Sequence, residues 1–210
     1  LVDDKGGYNG NYNITIDGGI WDSTPLMYES AGTETFRFIH SRDITIRNLV
    51  LCNVPEGSHL ITFAGVQNAV VENCTLYGYG DNGDDILTPK EAIQLDTVHS
   101  AQQVPTSQSA RITWDDLPCD KITVTGCKFY QYSRGIGSHT AVAGVMHTNV
   151  KITGNEFRDL TDSAIRLYNY KNAEITKNTI SNVVEGILVY TYMEAADGQS
   201  YFQPLNHVVQ

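Results

Sequence analysis

Asn13-Ile-Thr-Ile-Asp-Gly-Gly19 is the first of six segments of this chain that align on their last residue. The others are Asp43-Ile-Thr-Ile-Arg-Asn-Leu49, Ala69-Val-Val-Glu-Asn-Cys74, Ile122-Thr-Val-Thr-Gly-Cys127, Val150-Lys-Ile-Thr-Gly-Asn155 and Ala173-Glu-Ile-Thr-Lys-Asn178. Their last residues are separated by 30, 25, 53, 28 and 23 positions. Most of these steps fall in the range of roughly 20–50 residues expected of solenoid repeats.

Between the aligned segments lie short runs of strict alternation. They cover residues 36–40, 60–64, 91–96, 135–139, 164–168 and 186–190. In Glu91-Ala-Ile-Gln-Leu-Asp96, Ile93 and Leu95 are apolar while Gln94 and Asp96 are polar, the period-two signature of a strand with one buried face. Helical periodicity is almost absent, and 18 Gly with many Asn and Asp punctuate the strands. A coil of short strands that stacks on itself is an all-β solenoid, a parallel β-helix. Six such coils at roughly 4.8 Å each span about 29 Å. The chain reads as one domain over residues 1–210, with insertions near 78–90 and 97–119. In this register Ile93, Leu95, Ile136, Ile165 and Leu167 are buried, whereas Gln94, Asp96, His139 and Arg166 lie outside the core. The aligned position of Cys74, Cys127, Asn155 and Asn178 becomes an inward ladder, since stacked Asn side chains bond from coil to coil. Its two thiols are expected to stay mostly reduced, with a disulfide between them the alternative that distance allows.

Composition narrows the function. The 210 residues carry 41% hydrophobic and 18% charged side chains, enough for one sizeable core. A net charge of −10 argues against a nucleic-acid partner, whose affinity needs Lys and Arg. It argues more weakly against a densely anionic polysaccharide. No apolar run approaches the roughly 18 residues of a membrane span. The four cysteines have no zinc-like spacing, so no metal site is assigned to them. Leu1 opens the chain without Met or a leader, the look of a processed or excised piece.

Stacking the alternating runs builds two outward rows. One reads Arg37, Thr62, Gln94, Gly137, Arg166; the next reads Ile39, Ala64, Asp96, His139, Tyr168, Tyr190. An acid, an imidazole, a guanidinium and a phenol gather on one face, with Asp96 exposed on its floor. The two insertions flank this strand, and loops this long in a compact repeat are usually functional. Glycoside hydrolysis needs two carboxyl groups. Asp96 supplies one, and Asp116, or its neighbour Asp115, supplies the other if the second insertion folds over the floor. Trp114 beside them offers a platform for a sugar ring. Gln94, His99, His139, Arg166 and Tyr168 complete the substrate-binding set. No cofactor is required; calcium is possible at Asp81-Asn82-Gly83-Asp84-Asp85, which has oxygen ligands but not EF-hand spacing.

These repeats resemble the right-handed parallel β-helix proteins that act on carbohydrates, the pectate lyases and the polygalacturonase family among them. The resemblance implies a right-handed solenoid of about six coils, here with one or both end caps missing and a further chain or domain as the cap. It also implies an extracellular or cell-surface protein acting on an oligosaccharide or polysaccharide. The polygalacturonase order Asn-Thr-Asp, Asp-Asp, Gly-His-Gly, Arg-Ile-Lys is similar to Gln94-Leu95-Asp96, Asp115-Asp116, Gly137-Ser138-His139 and Arg166-Leu167-Tyr168. The chain lacks the first Asn and the final Lys. Loss of the Arg-Lys pair that grips a carboxylate favours a neutral glycan. The first expectation is therefore a glycoside hydrolase, in the inverting mode. Its competitors are a polysaccharide lyase or epimerase with calcium and basic groups around Asp96, and a non-catalytic glycan-binding adhesin module with a shallow groove and no close carboxylate pair.

Overall fold

A computed structural model describes residues 4–24, 34–80, 89–100, 111–138, 140–191 and 203–204. Its strands form six stacked coils with three faces. The first face holds β1 (Tyr12–Asp17), β4 (Arg42–Arg47), β7 (Gln67–Glu72), β10 (Asp120–Thr125), β14 (His147–Thr148) with β15 (Lys151–Thr153), and β17 (Tyr170–Lys171) with β18 (Glu174–Thr176). The second holds β2 (Ile20–Asp22), β5 (Val50–Val54), β8 (Thr75–Tyr79), β11 (Lys128–Tyr132) and the first halves of β16 (Glu156–Tyr168) and β19 (Thr179–Tyr190). The third holds β3 (Glu34–Ile39), β6 (His59–Ala64), β9 (Glu91–Asp96), β12 (Arg134–Gly137) and the second halves of β16 and β19. All these pairings are parallel. β13 (Thr140–Ala141) and β20 (Gln203–Pro204) make a separate antiparallel pair.

Parallel register turns each inward residue type into a column. Ile16, Ile46, Val71, Val124, Ile152 and Ile175 stack on the first face. Leu51, Leu76, Phe129, Phe157 and Ile180 stack on the second, with the Phe129 and Phe157 rings parallel at 4.7 Å. On the third, Ile61, Ile93, Ile136 and Ile165 are all fully buried, and Leu95 and Leu167 lie beside them. The inward half of the expected register is therefore correct. Leu167→Ala should cost about 2–5 kcal/mol, from lost transfer energy and the cavity left behind. Chemical denaturation reads it, and an unchanged midpoint would contradict the register.

The corners explain the Asn and Gly content. Gly18, Asn48, Asn73, Gly126, Gly154 and Lys177 occupy equivalent turn positions, and every one has positive φ. Asn53, Gly78, Gln131, Asp159 and Asn182 form a second such column. Left-handed backbone costs most residues about 1–2 kcal/mol, and Gly and Asn least. One residue after the first column runs the predicted ladder. Cys74 N–H points to Cys127 Sγ at 3.4 Å, Cys127 N–H donates to Asn155 Oδ1 at 2.9 Å, and Asn155 N–H donates to Asn178 Oδ1 at 2.9 Å. Each side chain thus accepts the amide of the coil before it. Cys52, Cys74, Cys119 and Cys127 are free and buried. Thiol titration of denatured, unreduced protein should find four free thiols; a missing pair would mean that a bridge had formed.

The first and last coils leave apolar side chains in solvent: Tyr12, Ile20 and Trp21 at one end, Val184, Ile187 and Val189 at the other. Among the described residues no helix is long and apolar enough to cross a membrane.

Candidate functional site

The two outward rows form as the alternation predicts. Arg37 pairs in register with Thr62, Thr62 with Gln94, Gln94 with Gly137, and Gly137 with Arg166. Ile39 pairs with Ala64, Ala64 with Asp96, and Tyr168 with Tyr190. His139, expected between Asp96 and Tyr168, lies outside the described residues, as do Asp81, Asp84 and Asp85 of the possible calcium loop.

Exposure differs from expectation. Gln94, Asp96 and Arg166 are only 5%, 4% and 1% exposed, and Tyr168 is equally buried. Asp96 is not an open floor, because it is buried together with Gln94, Arg166 and Tyr168. Gln94 Nε2 donates to Asp96 Oδ2 at 3.0 Å, and the Thr97 amide donates to Asp96 Oδ1 at 2.8 Å. Thr62 Oγ1 donates to Gln94 Oε1 at 3.3 Å. Arg166 Nη2 donates to the Tyr168 hydroxyl at 2.7 Å, while its Nη1 lies 3.6 Å from Asp162. Arg166 Nε and Nη1 have no hydrogen-bond acceptor. Burial pushes the Tyr168 phenol up, so it remains a neutral hydroxyl.

A second charged group sits upstream on the same strands, and sequence reasoning missed it. Glu34 pairs with His59, and Glu91 with Arg134. His59 Nδ1 lies 2.6 Å from the Glu91 carbonyl, and Arg134 reaches Glu91 at 3.2 Å and Asp162 at 2.7 Å. Burial opposes the charge on Arg134, but Glu91 and Asp162 outweigh it and hold its pKa above the ordinary value. Arg134 is therefore a fixed cation and not a proton acceptor. Lys90 is pulled down by burial, with Glu91 opposing. Glu91 already opens its alternating run, and reading one or two residues upstream of the other runs adds Glu34, His59, Arg134 and Asp162 to this column.

The acids of the second insertion go elsewhere. Asp115 accepts the Gly7 amide at 2.8 Å and meets His40 Nε2 at 3.0 Å. Asp116 is held by His99 Nδ1. Trp114 is half-buried and close in sequence to both. Val98 and Leu117 bridge the two legs of the insertion, which rest on Gly65: a Cβ there would come within 2.7 Å of Val98. Among the described residues no group of three or more His, Cys, Asp or Glu is arranged to hold a metal ion.

An open surface exists on the first face. A groove of about 280 Å³ is lined by Asn13, Thr15, Asp43, Ile44, Thr45, Asn68 and Val70. Asn68 Nδ2 donates to Asp43 Oδ1 at 2.6 Å, and Arg42 covers the exposed Tyr12 ring at 4.3 Å.

Residues 113–200 match a family model described as a right handed beta helix region. Among solved structures the chain is similar to PfbA, a surface adhesin of Streptococcus pneumoniae, at 19% identity and a TM-score of 0.60, over 80% of this chain and 41% of that one. A second structure of the Streptococcus pneumoniae surface protein and adhesin PfbA aligns at 18% identity and a TM-score of 0.49, over 64% of this chain and 34% of that one. The chain thus spans well under half the length of these structures. Comparison with curated proteins finds no match. The likeness, the family match and the six parallel coils agree on architecture: the chain is a right-handed parallel β-helix.

Proposed function

We propose that the chain is a glycan-binding module of an extracellular or cell-surface protein, holding sugar without cleaving it. The observation that carries this reading is the state of the carboxylates. Hydrolysis needs one carboxyl as acid and another as base or nucleophile, facing each other across the scissile bond. Asp96 is buried, with Gln94 and Thr97 on its two oxygens, while Asp115 and Asp116 are bound to His40 and His99. The first-face groove offers what neutral sugar hydroxyls need: amides, a carboxylate and threonine hydroxyls on rigid parallel strands. Tyr12 beside it adds an exposed ring. Similarity to a surface adhesin supports the same reading by analogy of fold.

Glycoside hydrolysis is the second reading. Its support is that Gln94, Asp96, Arg166 and Tyr168 share adjacent rows, and that Arg166 Nε and Nη1 have no hydrogen-bond acceptor. Titrating labelled protein with a panel of neutral oligosaccharides separates the two. Binding predicts amide shifts at Thr15, Thr45 and Asn68 and no new reducing ends. Shifts confined to Gln94, Asp96 and Tyr168, with sugar released, would overturn it.

A further inference from the structure

His40 carries a bonding pattern that a neutral imidazole does not satisfy. It is buried in the turn after β3 with φ of 50°, and its own amide donates to the Ala64 carbonyl. Nδ1 faces Asp4 Oδ2 and Nε2 faces Asp115 Oδ1. A carboxylate only accepts, and a neutral imidazole has one N–H to give. Both bonds therefore form together only when both ring nitrogens carry protons, or when one carboxyl does.

The two carboxylates belong to segments far apart in the chain. Asp4 lies in the N-terminal segment. Its Oδ2 also accepts the Thr113 amide at 3.0 Å, and its carbonyl accepts the Thr113 hydroxyl at 2.8 Å. Asp115 lies in the second insertion and accepts the Gly7 amide. Gly6 is wedged in the same junction, where a Cβ would meet Asp115 Oδ2 at 2.8 Å. The other titratable groups around the ring are already engaged. Tyr8 donates to the Pro118 carbonyl, Asp120 accepts from Gln67 and Thr148, Arg42 pairs with Asp43, and Asp116 is on His99. None of these is bonded to the His40 ring.

We propose that protonated His40 is a latch that clasps the N-terminal segment and the second insertion to the coil, and that loss of its proton opens it. A ring that has lost one N–H leaves one of the two carboxylates facing a lone pair. Burial works against the charge on Asp115, yet the Gly7 amide and then His40 hold its pKa below the usual carboxylate value. The legs of the insertion rest on Gly65, whose amide bonds the Asp96 carbonyl. The latch does not depend on which ligand the module takes.

The test follows His40 ring nitrogens by NMR while hydrogen exchange is read at Gly7 and Thr113, with intrinsic rates corrected for pH. Protection at both amides should fall at least tenfold as the ring changes from doubly to singly protonated. In Asp115→Asn a neutral ring can donate from Nδ1 to Asp4 and accept at Nε2 from the amide. That variant should keep its protection across the same pH range. Protection that stays flat in the parent protein while His40 titrates, or a variant that loses protection equally at every pH, would overturn the latch.

Discussion

Gly137→Ala should abolish stable folding, or cost more than about 4 kcal/mol, the scale reserved for a direct backbone clash. Gly137 sits in the outward row between Gln94 and Arg166 with φ of 151°. A Cβ at this position would lie 2.0 Å from the Arg166 carbonyl oxygen and 2.9 Å from its Cβ. Backbone strain and collision add, and neither neighbour is a flexible tip that can swing away. β12 would have to part from β16, breaking the coil stack in its middle. Circular dichroism and thermal denaturation measure the loss; near-parental stability would mean that this register is wrong.

The second large effect is on acid stability. His147 is fully buried in β14 beside Tyr170, and its Nδ1 accepts the Cys119 amide at 3.0 Å. Burial pushes its pKa down from 6.5 to about 3. The unfolded chain therefore binds a proton that the folded chain refuses. Stability from this group is complete above the unfolded value and is lost as pH falls from about 6.5 toward 3, at about 1.4 kcal/mol per unit. The full window approaches about 5 kcal/mol, an upper bound set by local opening. Urea denaturation between pH 7 and 4.5 should show the decline. His147→Gln keeps an acceptor for Cys119 without a titrating ring, and its midpoint should fall much less. Equal slopes for the two proteins would show that His147 protonates freely in the fold.

Much of the architecture is legible in the sequence because a solenoid writes the same short pattern many times. The Ile-Thr-Ile-like segments and the alternating runs each fix register by period two, and stacking multiplies the evidence. The row of Arg37, Thr62, Gln94, Gly137 and Arg166 follows from that alone. Coverage of the row is not legible. Alternation tells which way Asp96 points, not what lies above it. The fate of Asp115 is a clearer case. Its partner Gly7 is 108 positions away, and His40 is 75 away. Nothing local in Trp114-Asp115-Asp116 announces either contact. The Glu91–Arg134 pair escaped for another reason: Arg134 precedes its alternating run, and Glu91, the first residue of its own, reads as a strand end.

The hydrolase and binding readings part most sharply on turnover. Asp96→Asn is nearly isosteric and can keep one acceptor for the Thr97 amide, so the fold should persist. Reducing-end release from a neutral oligosaccharide panel should be at background for the parent protein and for Asp96→Asn alike, while at least one glycan remains bound. Measurable release by the parent that falls by several orders of magnitude in Asp96→Asn would contradict the binding account and establish Asp96 as a catalytic carboxylate.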